Sequence, residues 1–476
     1  MAITKIYILA LLISVCTFSS CALDKPNIIF ILLDDLGKEW ISCYGAEDIQ
    51  TPHIDRLAES GIQFSNVYSM PQCTPSRVCF LTGQYPFRNG WVNHWDVPRW
   101  GLGYFDWKMN PSVGRIMKTA GYKTAIAGKW QINDFRIHPN ALVKHGFDDF
   151  CMWTGGETDP SSEHHTIISD KRYWDPYIHT KDGSKSYPGK FGPDIYNQFI
   201  LDFISNNKDN PFFIYYPMTL PHGPLVHTPL HMNAESKLDK HKAMVNYIDY
   251  LLGKVVTHLR DLQLSERTLI VFTSDNGTAG NISNNRNGMK VKGGKMKTTE
   301  NGVNTPFIVS WPGHILDNQK SDALIDFSDL LPTFSELAGA TLETGYTYDG
   351  ISVVSTFLNP QTDTSRNWIL AMGSHPAKGT VNGIENTHTF RDRVIRGKKY
   401  KLFIGVDGKP QKLIDLSKDI SESNNLLQSR SHQNILDLFN EVLSDIPKKD
   451  NDPIYKRILN YPVYREGSIP SHIHKK

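Results

Sequence analysis

The stretch Asn27-Ile28-Ile29-Phe30-Ile31-Leu32-Leu33 is apolar from its second residue onward and ends at two carboxylates, Asp34 and Asp35. A strand with one face in water alternates apolar and polar residues, whereas a strand covered on both faces stays apolar throughout. This stretch therefore predicts a central strand of a parallel sheet, with an acidic pair at its carboxyl end.

Strands and helices alternate along the chain on both sides of this feature. Thr51-Pro52 has the cap and first-turn residues of a helix that Gly61 ends, and residues 110–121 repeat this pattern. A long amphipathic helix is predicted over residues 244–262, and further strands over residues 122–127, 212–216 and 269–272. This order is typical of an α/β fold with a large, mostly parallel sheet flanked by helices.

The pattern changes after about residue 360. Short strands are predicted at residues 369–372, 392–395 and 400–404, with a closing helix at 434–446. We therefore expect a large domain over residues 24–360 and a smaller C-terminal α+β domain over residues 361–476.

Composition excludes several classes of protein. The 476 residues are 39% hydrophobic, as in a globular chain, and 51 basic residues almost balance 49 acidic ones. The net charge of +2 argues against a general nucleic-acid-binding surface, so no nucleic-acid partner is expected. Six cysteines are too few for a disulfide scaffold in a chain of this length.

The N-terminus has the pattern of a secretory signal. Lys5 precedes an apolar segment over residues 6–15, and small residues follow up to Ala22. The segment is too short to span a bilayer, so we expect a signal peptide over residues 1–22, no transmembrane helix, and a secreted or periplasmic protein. Phe18-Ser19-Ser20-Cys21 resembles an imperfect lipoprotein box, which leaves lipid anchoring at Cys21 open.

Polar side chains recur directly after the predicted strands, and in open α/β sheets the functional site lies at the carboxyl ends of the strands. Carboxylate and amide oxygens suit a hard cation, Ca²⁺ or Mg²⁺. The alternative for each motif alone is a helix cap or an ordinary turn. The residues in question are Asp34, Asp35, Lys129, His222, Asp275 and Asn276.

Cys73 opens the motif Cys73-Thr74-Pro75-Ser76-Arg77, in which the proline suits a first helical turn. A thiol at a helix N-terminus, with Arg77 one turn further on, would have a lowered pKa and would attract an anion. The alternative is a structural cysteine, paired for instance with Cys79.

This motif, followed by Leu81-Thr82-Gly83, resembles the signature of the formylglycine-dependent (type I) sulfatases of the alkaline phosphatase-like superfamily. The resemblance extends over about residues 26–427. Its other parts are residues 26–35, Gly128-Lys129-Trp130, Pro221-His222-Gly223-Pro224, Ser274-Asp275-Asn276-Gly277, Gly294-Lys295, and the segments 329–333 and 413–416.

The resemblance implies that a maturation enzyme oxidises Cys73 to formylglycine. In this family one hydroxyl of the hydrated aldehyde attacks sulfur, and the other then expels sulfate. The resemblance further implies one Ca²⁺ per chain, held by residue 73 with Asp34, Asp35, Asp275 and Asn276.

The remaining motifs imply charge stabilisation and proton transfer. Arg77, Lys129 and Lys295 would neutralise the sulfate, and His222 would protonate the leaving oxygen, alone or with Lys295. The family resemblance makes residues 24–360 the catalytic sulfatase domain.

Two positions depart from the family pattern. Gln131 stands where the family has a histidine, and residues 300–304 lack a glycine and an arginine that are common there. Since an amide has no useful basicity, His94 and His138 are candidates for a substitute base.

The sequence thus predicts an exported, calcium-dependent sulfatase that acts on sulfated carbohydrates. Gln131, His375 and Arg391 are the predicted substrate-binding residues. The alternatives are a phosphate or phosphonate monoester hydrolase of the same fold and a catalytically inactive relative that binds glycans.

Overall fold

The computed structural model describes residues 25–92, 104–135, 138–155, 171–362, 364–374, 377–380 and 383–453. The predicted signal peptide, Cys21, His94 and His375 lie outside these residues. Within them, no helix has both the length and the apolarity that crossing a membrane would require.

The strands alternate with helices through the first two thirds of the chain. The strands are β1 Asn27–Leu33, β2 Gly61–Tyr68, β3 Lys123–Lys129, β4 Asp149–Trp153, β5 Tyr177–Thr180, β6 Gly183–Ser186, β7 Phe212–Pro217, β8 Thr268–Ser274, β9 Ser283–Arg286, β10 Met289–Lys292, β11 Phe307–Ser310, β12 Gln319–Asp326, β13 Ile369–Met372, β14 Ala377–Thr380, β15 Gly383–Asn386, β16 Arg393–Arg396, β17 Tyr400–Ile404 and β18 Pro410–Asp415. The helices are α1 Pro52–Glu59, α2 Cys73–Thr82, α3 Pro86–Asn89, α4 Val113–Thr119, α5 Ala141–Lys144, α6 Gly192–Asn206, α7 Lys237–Asp261, α8 Glu300–Val303, α9 Leu330–Leu337, α10 Val354–Leu358 and α11 Gln433–Asp445.

The main sheet has ten strands in the order β12-β2-β11-β8-β1-β7-β3-β4-β5-β6. Its central strands, from β8 to β4, run parallel, whereas β11, β5 and β6 pair antiparallel with their neighbours. The predicted α/β fold with a large, mostly parallel sheet is therefore confirmed.

Strand β1 occupies the middle of this sheet, hydrogen-bonded to β7 on one side and to β8 on the other. All of its residues are buried. Phe30 packs in one core against Phe80, with ring centroids 4.5 Å apart, while Ile29 and Ile31 belong to the core on the opposite face. Coverage of both faces explains the continuous apolar run in the sequence.

The helices follow the predicted pattern with shifts at their ends. Helix α1 begins at Pro52 as expected, but α7 begins at Lys237, seven residues before the predicted start at residue 244. The side chain of Ser236 accepts a hydrogen bond from the backbone amide of Asp239 at 3.0 Å and caps this helix. The first turns of α7 are polar, so apolar periodicity could not reveal them.

The C-terminal part contains a four-stranded antiparallel sheet in the order β13-β16-β17-β18, with α11 as the closing helix. The predicted strands and helix of this region are confirmed to within a few residues, but the short hairpins β9–β10 and β14–β15 were not predicted. Ile369, Leu402 and Phe439 lie in the same core as Phe30 of the main sheet. The domain boundary near residue 360 stays a prediction.

A buried lysine ties the C-terminal sheet to helix α8. Lys401 on β17 is fully buried, and its Nζ lies 3.0 Å from Oε1 of Glu300 on α8 and 2.7 Å from Oε1 of Glu422. Burial alone would raise the pKa of Glu300, but the Lys401 and Arg396 charges lower it to about 2. The C-terminal sheet thus holds α8 electrostatically.

Replacing Lys401 by methionine should leave two carboxylates buried without their cation. We expect Lys401→Met to lower the free energy of unfolding by about 3–5 kcal/mol, measured by urea denaturation. Lys399→Met is the matched control, because the Lys399 side chain is 48% exposed and lies 3.4 Å from Asp415. A small effect of Lys401→Met, equal to that of the control, would contradict this account.

Candidate active site

The carboxyl ends of four parallel strands meet at one edge of the main sheet. Strand β1 leads to Asp34, β3 ends at Lys129, β7 leads into the segment that carries His222, and β8 leads to Asp275. Backbone amides join these ends, since Asp34 N donates to Leu220 O and Asp275 N donates to Leu33 O, each at 3.0 Å. The convergence predicted from the sequence is therefore what the structure contains.

Helix α2 brings Cys73 to this edge as its first residue, and the side chain of Cys73 is buried. Ser76, one turn further on, donates from Oγ to the backbone carbonyl of Asp275 at 2.5 Å, which ties the helix to the end of β8. Cys43, Cys73, Cys79 and Cys151 are all free thiols, so the alternative pairing of Cys73 with Cys79 is wrong.

Buried ligand atoms surround Cys73. The thiol and one carboxylate oxygen each of Asp34 and Asp275 all lie within 4.8 Å of one another, and Asp34, Asp35 and His222 form a second such group. Within the described part of the chain, Oδ1 of Asp34 and Oδ1 of Asn276 are buried and accept no hydrogen bond. Unsatisfied buried oxygens beside carboxylates fit a hard divalent cation.

Local backbone geometry directs these side chains inward. Asp35 has a φ of 70°, in the left-handed region that few non-glycine residues adopt. Its amide donates to Oδ1 of Asp275 at 3.1 Å, and its own Oδ1 accepts from Nδ2 of Asn276 at 2.8 Å. The amide of Asn276 is thereby oriented with its oxygen free for a cation.

Three cations face the three carboxylates. Nε and Nη2 of Arg77 donate to Oδ2 of Asp275 at 3.0 and 2.6 Å. Nζ of Lys129 donates to Oδ2 of Asp34 at 2.7 Å, and Nζ of Lys295 donates to Oδ2 of Asp35 at 2.6 Å. Each pair joins residues far apart in sequence, and its charges are largely out of water.

Burial and the neighbouring cations shift the pKa values of the clustered carboxylates in opposite directions. Burial raises the pKa of Asp275 to about 7 although Arg77 acts in the opposite direction, and the nearby charge of Asp34 raises it further. For Asp34, burial also acts upward, but Lys129 and its other cationic neighbours lower the pKa below its ordinary value. A divalent cation among these oxygens would favour the ionised form of Asp275.

His222 lies at the entrance of the cluster, where its side chain is partly exposed. Its Nε2 lies 3.6 Å from Oδ2 of Asp35, and its Nδ1 lies 2.7 Å from the carbonyl oxygen of Gly223 and 3.1 Å from Nη1 of Arg172. Burial, and then the charge of Lys295, lower the pKa of His222 to about 3. With the cluster as it stands, the imidazole is neutral at pH 7.

Gln131 follows Lys129 at the end of β3, with a φ of 62° and little exposure. His138, proposed as a substitute base, has ring contacts with Tyr104 and Trp107 at centroid distances of 4.5 and 5.8 Å. These contacts place His138 in an aromatic group. Its role, and that of Gln131, stay predictions.

Arg391, predicted to bind substrate, is fully buried, and its backbone amide donates to Oδ2 of Asp450 at 2.7 Å. Arg393 also pairs with Asp450, at 2.7 Å. The substrate contact predicted for Arg391 stays a prediction, and His375 lies outside the described residues.

Sequence reasoning missed Arg172 and Tyr173, which contact the side chain and the backbone of His222 respectively. The contacts cross 50 and 49 residues of sequence, and neither residue follows a predicted strand. No signal in the sequence marks them.

Known proteins resemble this chain over most of its length. A family model described as Sulfatase matches residues 26–340, and one described as N-sulphoglucosamine sulphohydrolase, C-terminal, matches residues 294–449. The N-acetylgalactosamine-6-sulfatase of Homo sapiens is 32% identical over 361 residues, which cover 71% of this chain and 67% of that protein.

The N-acetylgalactosamine-6-O-sulfatase of Bacteroides thetaiotaomicron is 30% identical over 490 residues, covering 89% of this chain and 93% of that protein. Among solved structures, Ps i-CgsB superposes with a TM-score of 0.75 at 26% identity, covering 90% of this chain and 94% of the other. The expected alkaline phosphatase-like architecture is confirmed. Because a Sulfatase model matches residues 26–340 and relatives at 30% identity or more share most of their length with it, the chain belongs to the sulfatase family of sulfuric ester hydrolases.

Proposed function

We propose that this chain is an exported sulfatase that hydrolyses sulfate esters of carbohydrates with a formylglycine at residue 73 and one bound Ca²⁺. The observation that carries the proposal is the position of Cys73, at the first turn of α2 and within 4.8 Å of ligand oxygens of Asp34 and Asp275. A thiol so enclosed by carboxylates has no evident structural task.

The metal would be held by Asp34, Asp35, Asp275 and Asn276 together with residue 73. All side-chain donors but residue 73 are oxygens, the ligand type that Ca²⁺ prefers, and two of them are buried without a hydrogen-bond partner in the described chain. When bound, Ca²⁺ supplies Lewis acidity and offsets negative charge, and formylglycine supplies the nucleophile.

Arg77, Lys129 and Lys295 act on the sulfate. Arg77 and Lys129 are buried and Lys295 is mostly so, and each pairs with one carboxylate of the cluster. Positive groups fixed in a site of low polarity stabilise the negative charge that develops during sulfuryl transfer, at little cost in reorganisation. Arg77 in addition orients Asp275 through two hydrogen bonds.

The groups that can protonate the leaving alcohol lie on the side of the site that faces outward. His222 and Lys295 both lie beside Oδ2 of Asp35, at 3.6 and 2.6 Å, and both have partly exposed side chains. The Lys295 ammonium carries protons, and the imidazole Nε2 lies next to it. Together they direct a proton to the ester oxygen that becomes the alcohol.

Sulfated carbohydrate is the substrate class that the similar proteins favour. Relatives from human and from Bacteroides thetaiotaomicron are N-acetylgalactosamine sulfatases, and Ps i-CgsB has been solved with k-i-k-neocarrahexaose. From these proteins we extend to this chain only the substrate class, a sulfated saccharide. Export through residues 1–22, with Cys21 as a lipid anchor in the alternative, belongs to the same proposal.

Cys73→Ala should abolish sulfate release while leaving the thermal unfolding midpoint close to that of the wild type. The wild type should carry formylglycine at residue 73, which mass spectrometry of the tryptic peptide detects. Cys79→Ala is the matched control, since Cys79 is another buried free thiol of α2 and should not be needed for turnover. Full activity of Cys73→Ala would refute the nucleophile.

Removal of divalent cations should inactivate the enzyme, and Ca²⁺ should restore activity better than Zn²⁺, because the ligands are hard oxygens. Metal analysis should find one Ca²⁺ per chain in the wild type and none in Asp275→Ala. Asp249→Asn alters another buried aspartate, one that accepts from amides of α1 at 2.8 Å, and should retain the metal. Active protein without any divalent cation would contradict the site.

The wild type should release sulfate from a sulfated saccharide far faster than phosphate from the matching phosphate ester. Ion chromatography measures both products. Because Gln131 stands where the family has a histidine, the competing hypothesis is an inactive protein that binds glycans. The protein tested must therefore first be shown to carry formylglycine and Ca²⁺. If sulfate release is absent under that condition while sulfated saccharides still bind, the inactive reading is correct, and activity gained by Gln131→His would locate the cause.

A further inference from the structure

Positive charge is concentrated in one segment beside the proposed active site. Between Asp275 and Glu300 the sequence has five basic residues and no acidic one, although the net charge of the whole chain is only +2. This basic segment consists of the hairpin β9–β10 and the loop that follows it. A surface that carries one sign of charge attracts ligands of the opposite sign. The basic residues are Arg286, Lys290, Lys292, Lys295 and Lys297.

Three lysines of the basic segment are exposed to solvent and form no ion pair. Within the part of the chain that the structure describes, Lys290, Lys292 and Lys297 have no carboxylate partner. Lys295 differs, since its Nζ lies 2.6 Å from Oδ2 of Asp35 and its side chain is mostly buried. The three exposed ammonium groups are therefore available to a ligand.

The acidic residues that contact the hairpin bind it through other groups. Glu47 accepts a hydrogen bond from the backbone amide of Gly288, and Oδ2 of Asp48 accepts from Nδ2 of Asn285 at 3.1 Å. Among the described residues, neither carboxylate forms an ion pair with a lysine of the basic segment. The charge of these lysines is thus not neutralised at close range.

The hairpin is fixed to the protein by one face only. The side chains of Asn284 and Arg286 donate to backbone carbonyls of residues 39–44, at 2.7 and 2.8 Å. Side chains alternate between the two faces of a strand, and Lys290 and Lys292 are in register with the alternate residues of β9. Both lysines therefore lie on the outer face, which points away from these contacts.

The outer face leads directly to the proposed active site. Lys292 ends β10 three residues before Lys295, and Lys297 follows Lys295 by two residues. A chain advances at most about 3.6 Å per residue, so the Cα atoms of Lys292 and Lys295 lie within about 11 Å of each other. The backbone amide of Met296 donates to the carbonyl of Pro71 at 2.7 Å, which fixes the loop close to residue 73.

We propose that the outer face of the basic segment binds further anionic groups of an extended, multiply sulfated saccharide whose reacting sulfate lies at residue 73. The inference rests on the proposed sulfatase function and narrows its substrate class to saccharides with anionic groups on more than one sugar unit. A sulfate ester stays anionic at neutral pH, and a lysine ammonium on its flexible stem contacts such a group as a point charge. Lys290 and Lys292 bind the units beyond Lys295.

The kinetic test compares two forms of a substrate from which the wild type releases sulfate. One is a singly sulfated monosaccharide, and the other is a multiply sulfated tetrasaccharide with the same reacting sulfate. The double substitution Lys290→Gln/Lys292→Gln should raise KM for the tetrasaccharide roughly 3- to 20-fold with kcat little changed, because exposed charge contacts contribute uniform binding. KM for the monosaccharide should change by no more than about two-fold. A wild type that accepts only the monosaccharide would overturn the proposal.

The matched control is Lys123→Gln/Lys208→Gln. It removes the same charge from two exposed lysines at the opposite edge of the main sheet, where β3 begins and where the chain approaches the start of β7. Both KM values should stay unchanged in this variant. Equal rises in the two double variants would show an effect of net charge alone and would overturn the proposal. Aggregation of the hairpin variant with unchanged KM would also overturn it, because the lysines would then only protect the edge of β10.

Salt provides a second kinetic measurement. The Debye length falls from about 30 Å at 0.01 M ionic strength to about 8 Å at 0.15 M. Over this range, KM of the wild type for the tetrasaccharide should rise more steeply than KM of Lys290→Gln/Lys292→Gln. The same slope in both proteins would contradict a charge contact at these lysines.

A binding measurement does not depend on turnover. Isothermal titration calorimetry uses Cys73→Ala protein, fully sulfated maltotetraose as the probe and unsulfated maltotetraose as the blank. Adding Lys290→Gln/Lys292→Gln should weaken binding of the probe roughly 3- to 20-fold, whereas adding Lys123→Gln/Lys208→Gln should not weaken it. No binding of the probe, or equal affinity in all three proteins, would refute the role of the basic segment.

The two proposals fail separately. If the hairpin variant binds the probe more weakly but the wild type, shown to carry formylglycine and Ca²⁺, releases no sulfate from any saccharide, the proposed function is wrong and the binding surface is established. If sulfate release is observed and neither KM nor affinity responds to the hairpin variant, the binding surface is wrong and the proposed function stands.

Discussion

The packing of three buried carboxylates at one sheet edge is the constraint on which this structure depends. Asp34, Asp35 and Asp275 lie close enough for their charges to repel, and burial makes each charge costly. Arg77, Lys129 and Lys295 each form an ion pair with one of them. Among the described residues, Oδ1 of Asp34 and Oδ1 of Asn276 are buried and accept no hydrogen bond, which fits the proposed binding of a further cation.

The fold satisfies this constraint because the core and the site share the same strands. β1 is covered on both faces and so has little freedom to move, and its last hydrogen bonds to β7 and β8 fix the backbone from which Asp34 and Asp275 extend. The loop that carries Lys295 lies outside the parallel strands. It is held by a hydrogen bond from the backbone amide of Lys295 to the carbonyl oxygen of Thr278, at 3.0 Å. Rigid strands and short connections place charged groups with a precision that mobile loops would not give.

The C-terminal sheet supports the site indirectly, through α8 and the shared core. Lys401 neutralises Glu300, which opens α8 just after the Lys295 loop, and the strands of this sheet share the core with Phe30. On the other side of the site, Arg172 and Tyr173 hold His222 from the end of β4 and the start of α6. The catalytic groups proposed for sulfate and for the leaving alcohol therefore have separate structural supports.

The sequence by itself determined the central parallel strands, because the apolar run Asn27–Leu33 is typical of a strand covered on both faces and strands alternate with helices along the chain. It also determined that Asp34, Lys129, His222 and Asp275 meet, because carboxyl ends of parallel strands share one sheet edge. Only the tertiary structure decided which cation pairs with which carboxylate, that Cys73 and Cys79 stay apart as thiols, and that Arg391 is buried. It also revealed Arg172 beside His222, a contact between residues that share no periodicity or strand end. Local patterns encode which faces are buried, whereas side-chain partners distant in sequence are selected by packing and charge once the sheet has formed.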